Sequence, residues 1–478
     1  MGKMFVKRVA GTVLLSVVGV CACAEPWDPP LGTDPAPEYE VTVDGRKVEL
    51  LAVQMFFRGT HAPVRNWGGV YWAASFPYRP GQEVRVRSLT VPLDKAEFRP
   101  QGRIGSVKGE GDAALSFTAD KPFRVVLERE NRVKPLMLFG NAVETDLPDF
   151  SDPKVRRLGP GVHDLGKVTL NSNETLYLDY GAVLNGGVVA GGTNVTIRGH
   201  GVISGAAFPR FKGPAPNLIC GWHAKDLTIR DVILTAPWGW TLVLRQCDNV
   251  KVDGIRILGS RMLNDDAIDI VNSRNVLIRN SFIRAQDDLI APKGSDKDKA
   301  TATERILVEN CDFWCDGANV FRIGFESHAS GMGRIAGRNL EVLHVSPRHI
   351  PFEQYWAHAV FWLQPSGGLP QGDMLFENVN VNLDGYDAYL AIVNPRLTSW
   401  GNTPYTTGGS VSNVVFRNIK VTGKTESFCQ VVVEGRNEKE SVKNVTFENV
   451  SVFGRSLTAE SPEARVGKFA EDVTFAKR

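Results

Sequence analysis

Over the last two thirds of the chain one short phrase recurs: a polar residue, then apolar, any residue, apolar. It starts at Asn194, Asp226, Asn249, Asn275, Arg305, Asn339, Asp373, Asn413, Asn444 and Asp472, at intervals of 23 to 40 residues. Alternation over so short a run marks a half-buried strand, and an irregular repeat with few helix signals predicts strands wound into a coil, each turn stacked on the last. A propeller blade needs four strands per unit, and the shortest repeats cannot hold them. The expectation is an all-β chain with a right-handed parallel β-helix over residues 151–478. The Asn and Asp residues at strand ends suit corners that accept a left-handed backbone. Longer repeats place insertions at His344 to Phe361 and Asn394 to Gly409, where loops would wall a groove.

Ahead of the repeats, from Val41 to about Asn141, alternating runs such as Val84-Arg-Val-Arg are punctuated by Gly and Pro. They predict a small β-sandwich within residues 25–150. Its aromatic group, Trp67, Tyr71, Trp72, Phe76 and Tyr78, reads either as core or as a platform for a sugar ring.

The first residues change the expected compartment. Lys3, Lys7 and Arg8 precede an apolar run from Val9 to Val20 and an Ala22-Cys23-Ala24 ending, which reads as a signal peptide over residues 1–24 and predicts a secreted, periplasmic or extracellular protein. Lipid anchoring at Cys23 is the lesser alternative. No later stretch is long and apolar enough for a membrane helix. Without residues 1–24 the formal charge of +2 falls by three. A near-neutral chain without a basic tract is a poor partner for nucleic acid. Five cysteines remain, Cys220, Cys247, Cys311, Cys315 and Cys429. An odd number argues against a full disulfide framework, although Cys311 and Cys315 could pair, and no His cluster accompanies them to make a metal site.

The chemistry concentrates between Asn264 and Lys293. Asn264-Asp265-Asp266 and Asp269 are followed, about one repeat later, by Gln286-Asp287-Asp288. If the intervening segment is one turn of a coil, the two acidic groups lie over one another on one face. Hydrolysing a glycosidic bond takes one protonated carboxyl to give a proton to the leaving oxygen and one ionised carboxylate to activate water. Packed carboxylates raise one another's proton affinity, which keeps one of them acidic. Solvated turn corners are the alternative reading of the same residues.

These motifs resemble the polygalacturonase family, glycoside hydrolase family 28, whose right-handed β-helix carries Asn-Thr-Asp followed by Gln-Asp-Asp. The resemblance implies Asp287 as general acid and Asp266 with Asp288 at the water of an inverting mechanism, acting on a carbohydrate with no metal or cofactor. Asn319 stands where the family's Gly-His-Gly would place its His, and no Arg-Ile-Lys follows. A leading sandwich on a β-helix is also similar to the dextranase and isopullulanase family, glycoside hydrolase family 49.

Neighbours expected to contact substrate are Asn264, Asp265, Lys293, Arg322, Glu326 and His328, with Trp238, Trp240 and Trp356 as stacking faces; Trp314, Tyr355 and Trp362 are further aromatic candidates. Two alternatives stay open: a polysaccharide lyase or epimerase, which needs a basic side chain and often Ca²⁺ on clustered acids, and a non-catalytic carbohydrate-binding β-helix.

Overall fold

The structure, a computed structural model, describes residues 36–55, 69–129, 135–259, 262–295, 300–345, 357–397 and 406–477. The leader over residues 1–24, Cys23, Trp67, Tyr355 and Trp356 lie outside the described residues.

From Val155–Leu158 to Ala470–Ala476, 27 strands join into one sheet, and successive turns of the chain pair in parallel. Three turns give the plan. Asp248–Asp253, Arg256–Leu258 and Ile268–Val271 pair in turn with Arg274–Arg279, Phe282–Ala285 and Ile290–Lys293. Those pair with Thr303–Glu309, Asp312–Cys315 and Phe321–Ile323. The architecture is a parallel β-helix, and no described residue is in a helix.

The repeated phrase is one corner of this coil. All ten of its opening residues have φ between 53° and 58°. Asn and Asp reach that left-handed conformation because a short polar side chain can bond locally. Arg305 is the odd type, and its Nε donates to Asn275 Oδ1 at 2.7 Å, the same rung-to-rung bond that Asn444 Nδ2 makes to Asn413 Oδ1 at 2.8 Å. The two apolar positions that follow face inward. Phe376, Phe416, Phe447 and Phe475 thus stack down the interior at centroid spacings of 5.0 to 5.4 Å, their planes 8° to 16° apart.

The first part of the chain forms two five-stranded sheets. One core, including Tyr39, Val41, Val86 and Phe117 from one sheet and Trp72, Phe76 and Leu138 from the other, lies between them. This decides the aromatic group. Within Gly69–Pro77, Trp72 and Phe76 point into that core, while Tyr71 points the other way, toward the β-helix. Tyr78 is also buried, its hydroxyl donating to Ala119 O at 2.9 Å. None of the four is a sugar platform, because strand alternation leaves each covered on its own side.

The outer face of the second sheet packs on the β-helix. Val53, Tyr71, Met137 and Phe139 meet Ile233, Leu258, Phe282 and Trp314. Polar contacts reinforce the junction: Arg103 Nη1 and Arg124 Nε reach Asp312 Oδ2 at 2.9 and 2.8 Å, and Arg99 Nη2 reaches Asp384 at 2.7 Å.

All five described cysteines are buried and free, so Cys311 and Cys315 do not pair. Four residues along an extended strand span roughly 13 Å, beyond the reach of a disulfide.

The corner ladder predicts a modest and separable stability effect. Asn418 has φ 53° and bonds Asn378 at 3.1 Å and Asn449 at 2.8 Å. Asn418→Ala is expected to cost about 1–2 kcal/mol in chemical denaturation, and Asn418→Gly less, since glycine keeps the left-handed backbone. Equal losses would leave no share for backbone strain.

Candidate active site

Three successive turns present a corner on one edge of the coil: Asn264-Asp265-Asp266, Gln286-Asp287-Asp288 and Gly317-Ala318-Asn319. Ala267 N donates to Asp288 O at 2.8 Å and Leu289 N to Asn319 O at 2.9 Å. Asp266, Asp288 and Asn319 therefore stand one above the other. The two acidic motifs meet as their spacing predicts.

Each carboxyl has its own surroundings. Asp265 is fully buried, and its Oδ1 accepts the backbone N–H groups of Gln286 and Asp287, both at 3.1 Å. It is turned toward the next corner's backbone and not outward to a ligand. Asp266 Oδ2 and Asp269 Oδ1 hold Lys293 Nζ at 2.8 and 3.0 Å. Asp269 and Lys293 meet because both project from the outer face of adjacent strands, in which Val271 pairs with Lys293. The Trp240 ring caps the ammonium at 4.0 Å. Burial raises Asp266 and pushes Asp269 well up, while Lys293 pulls both back. Burial alone would lower Lys293, but Asp266 and Asp269 outweigh it and hold the lysine protonated.

Asp288 Oδ1 accepts Asn319 Nδ2 at 2.7 Å and Asn319 N at 3.2 Å. Asn319 Oδ1 in turn accepts Ala359 N at 2.8 Å, which fixes which end of the amide faces the acid. Asp287 is the half-buried member of the group and pairs with no cation among the described residues. Burial, then Asp266, Asp288 and Asp265, hold its carboxyl well above the ordinary range. A carboxyl with raised proton affinity beside one that holds an ammonium and one that accepts an amide N–H is a combination that general acid and base chemistry can use.

Arg322 stands on the adjoining turn. Its guanidinium lies between the rings of Phe325 at 3.9 Å and Trp362 at 4.0 Å, and Nη2 donates to Gln364 Oε1 at 2.7 Å. Glu326, with φ 51°, and His328 are half-buried in the loop that follows it on the same turn. Ser327 between them is tied to Gly294 N at 3.0 Å and, through its own N–H, to Ser366 Oγ at 2.8 Å. On the other side, Asn264, Trp238, Trp240 and Phe211 line a cleft of about 370 Å³. Trp238 is a wall and not an open platform, since it is buried and its Nε1 donates to Ala215 O at 3.1 Å. Trp314 and Trp362 are fully buried and offer no stacking face.

The sequence places Asp269 among the acids without a role and carries no sign of Gln364 or Phe325 beside Arg322. Asp269 had a signal, its alternation with Ile268 and Ile270 on a strand flanked by the acids. Gln364, 42 residues beyond Arg322, had none. Elsewhere, Glu144, His200 and Asp231 converge beside the first two sheets, but Arg198, Arg230 and Arg256 already bring positive charge there.

Residues 171–315, which contain Asp266, Asp287 and Asp288, match the family model of glycosyl hydrolases family 28. The chain carries a glycoside hydrolase segment. Among solved structures the fold is similar to Dex49A from Penicillium minioluteum, at TM-score 0.62 and 12% identity over 90% of this chain and 93% of that one. A family 28 exopolygalacturonase from Yersinia enterocolitica aligns at TM-score 0.49 and 12% identity, over 92% and 95% of the two chains. The surface protein and adhesin PfbA of Streptococcus pneumoniae aligns at 0.41 and 12%, over 68% and 91%. No curated protein sequence matches the chain.

The lysine contact gives a test by stability. Lys293→Met leaves Asp266 and Asp269 buried without a cation and is expected to cost roughly 3–5 kcal/mol at pH 8. Carboxyls whose folded pKa lies above the unfolded value bind protons more tightly when folded, so stability is kept below about pH 4 and lost as pH rises. Denaturation midpoints of variant and parent should converge at pH 4 and separate at pH 8; a pH-independent difference would contradict the pairing.

Proposed function

We propose that the chain is a secreted glycoside hydrolase that cleaves O-glycosidic bonds of a poly- or oligosaccharide with inversion. The observation that carries this reading is the contrast between Asp287 and its neighbours. Asp287 is crowded by carboxylates that raise its proton affinity and it faces no cation among the described residues, whereas Asp266 holds an ammonium and Asp288 accepts an amide. Asp287 protonates the leaving oxygen, and Asp266 with Asp288 orients water and takes its proton. The match over residues 171–315 supports the reaction class.

The remaining parts follow the same reading. The two N-terminal sheets with a common core act as a small β-sandwich over residues 25–150, the coil over 151–478 is right-handed and catalytic, and residues 1–24 direct export. Asn264 and Trp240 contact the sugar from one side, Arg322, Glu326 and His328 from the other. Lys293 is spoken for by two aspartates and kept protonated, which disfavours it as the base of an eliminating lyase and fills the place a cation would take among those acids.

Asp287→Asn should abolish turnover of glycans by reducing-end assay while leaving oligosaccharide binding by calorimetry close to that of the parent; normal hydrolysis would remove Asp287 from its role. The rate should fall as pH rises through the raised pKa of Asp287, so the alkaline limb belongs to the acid. Proton NMR of the first product should show the anomer opposite to the linkage cleaved; a retained anomer would refute inversion.

A further inference from the structure

The two strands that lead into the catalytic corners are gripped by the N-terminal sheets. Phe282–Ala285 runs into Gln286-Asp287-Asp288, and Asp312–Cys315 runs into the corner that carries Asn319. Alternation sends Phe282, Arg284, Asp312 and Trp314 outward, on the face that the first part of the chain covers. Phe282 meets Phe139 edge to face at 5.4 Å, and Asp312 takes Arg103 and Arg124.

Arg284 is the member nearest the chemistry. It is 1% exposed and lies two residues before Gln286. Nε and Nη2 donate to Asp316 Oδ2 and Oδ1 at 2.9 and 3.1 Å, so the two catalytic turns are clamped side chain to side chain at the point where they leave their strands. Asp316 N also donates to Ala285 O at 2.9 Å. The guanidinium lies over the Trp314 ring at 3.7 Å and over Tyr71, from the N-terminal sheets, at 5.1 Å. Trp314 is itself held by His344, and His344 bonds Glu128, again from the N-terminal sheets. A buried bidentate pair walled by two rings has little freedom to shift, and a corner starting there inherits that rigidity.

We propose that Arg284 is a positioning residue for the general acid, and that the N-terminal sheets, through Tyr71, hold Arg284 against Asp316 and so set where Asp287 and Asp288 stand. The N-terminal unit is on this account a working part of the hydrolase and not a separable binding module. The inference rests on the proposed roles of Asp287 and Asp288, but its test does not rest on them alone.

The variants are Asp316→Asn, which keeps shape and removes the ion pair, and Tyr71→Ala, which opens the wall; Arg284→Lys serves as the charge-conserving control. In the full chain, amide hydrogen exchange across Gln286 to Leu289 should rise at least tenfold in the first two, with the cooperative melt retained and distant turns such as 442–452 unchanged. Turnover of dextran or polygalacturonate, whichever the parent cleaves, should fall about 100-fold in kcat with KM little changed. The alkaline limb of the pH profile should move down, because an Asp287 drawn toward water loses part of the burial that raises its pKa. Arg284→Lys, which keeps a charge facing Asp316, should change each of these less than Asp316→Asn does. Exchange and pH profile both equal to the parent's in Asp316→Asn and Tyr71→Ala would overturn the proposal. A variant that melts non-cooperatively is replaced by Tyr71→Leu, judged by the same exchange criterion. A parent that cleaves no glycan would sink the hydrolase reading, while exchange across Gln286 to Leu289 would still decide whether the N-terminal sheets position the corner.

Discussion

Parallel pairing between turns is the constraint on which the rest of this molecule depends. Once Ile268 is bonded in register with Ile290, and Ile290 with Phe321, the residues two places earlier are fixed with them. Asp266, Asp288 and Asn319 form a column because the backbone is a ladder. Each turn lies about 4.8 Å from the next, which is close enough for neighbouring carboxyls to raise one another's proton affinity. A slip of one residue would turn Asp269 and Lys293 inward and Ile268 and Ile290 outward. The inward stack of Ile, Val and Phe therefore protects the polar geometry outside it.

On that ladder, charge is settled locally. Six acidic side chains, Asp265, Asp266, Asp269, Asp287, Asp288 and Glu326, gather around two cations, Lys293 and Arg322. Burying so many like charges is costly unless each is bonded or neutralised. The molecule uses both routes. Asp265 takes two backbone amides, Asp266 and Asp269 share an ammonium, Asp288 takes an amide fixed by its own acceptor bond, and Asp287 accepts the Asp288 backbone N–H but faces no cation among the described residues. The carboxyl that faces no cation and whose proton affinity its neighbours raise is thus the one with acid chemistry open to it.

The N-terminal sheets add a second constraint, perpendicular to the first. They cover the outer face of the strands that end at the acidic corners and bring Tyr71, Arg103 and Arg124 to it. A coil built from stacked turns is stiff along its axis, but a corner is a loop and needs lateral support. Buried contacts such as Arg284 with Asp316 supply it where the loop begins.

The sequence by itself determined the coil, its corners and the acidic pair, because these depend on local rules. Ten polar residues before an alternating run are ten left-handed corners, even at Arg305, and two acidic motifs a turn apart become neighbours in any stacked coil. The sequence could not decide which aromatic residues face water: Tyr71, Trp72, Trp314 and Trp362 have the composition of a sugar platform and are all buried, since exposure depends on what else packs on that face. Nor could it find Gln364 under Arg322 or the tie from Glu128 to His344, whose partners lie 42 and 216 residues apart. Those pairings exist only when distant turns and the N-terminal sheets are brought together, and only the tertiary structure does that.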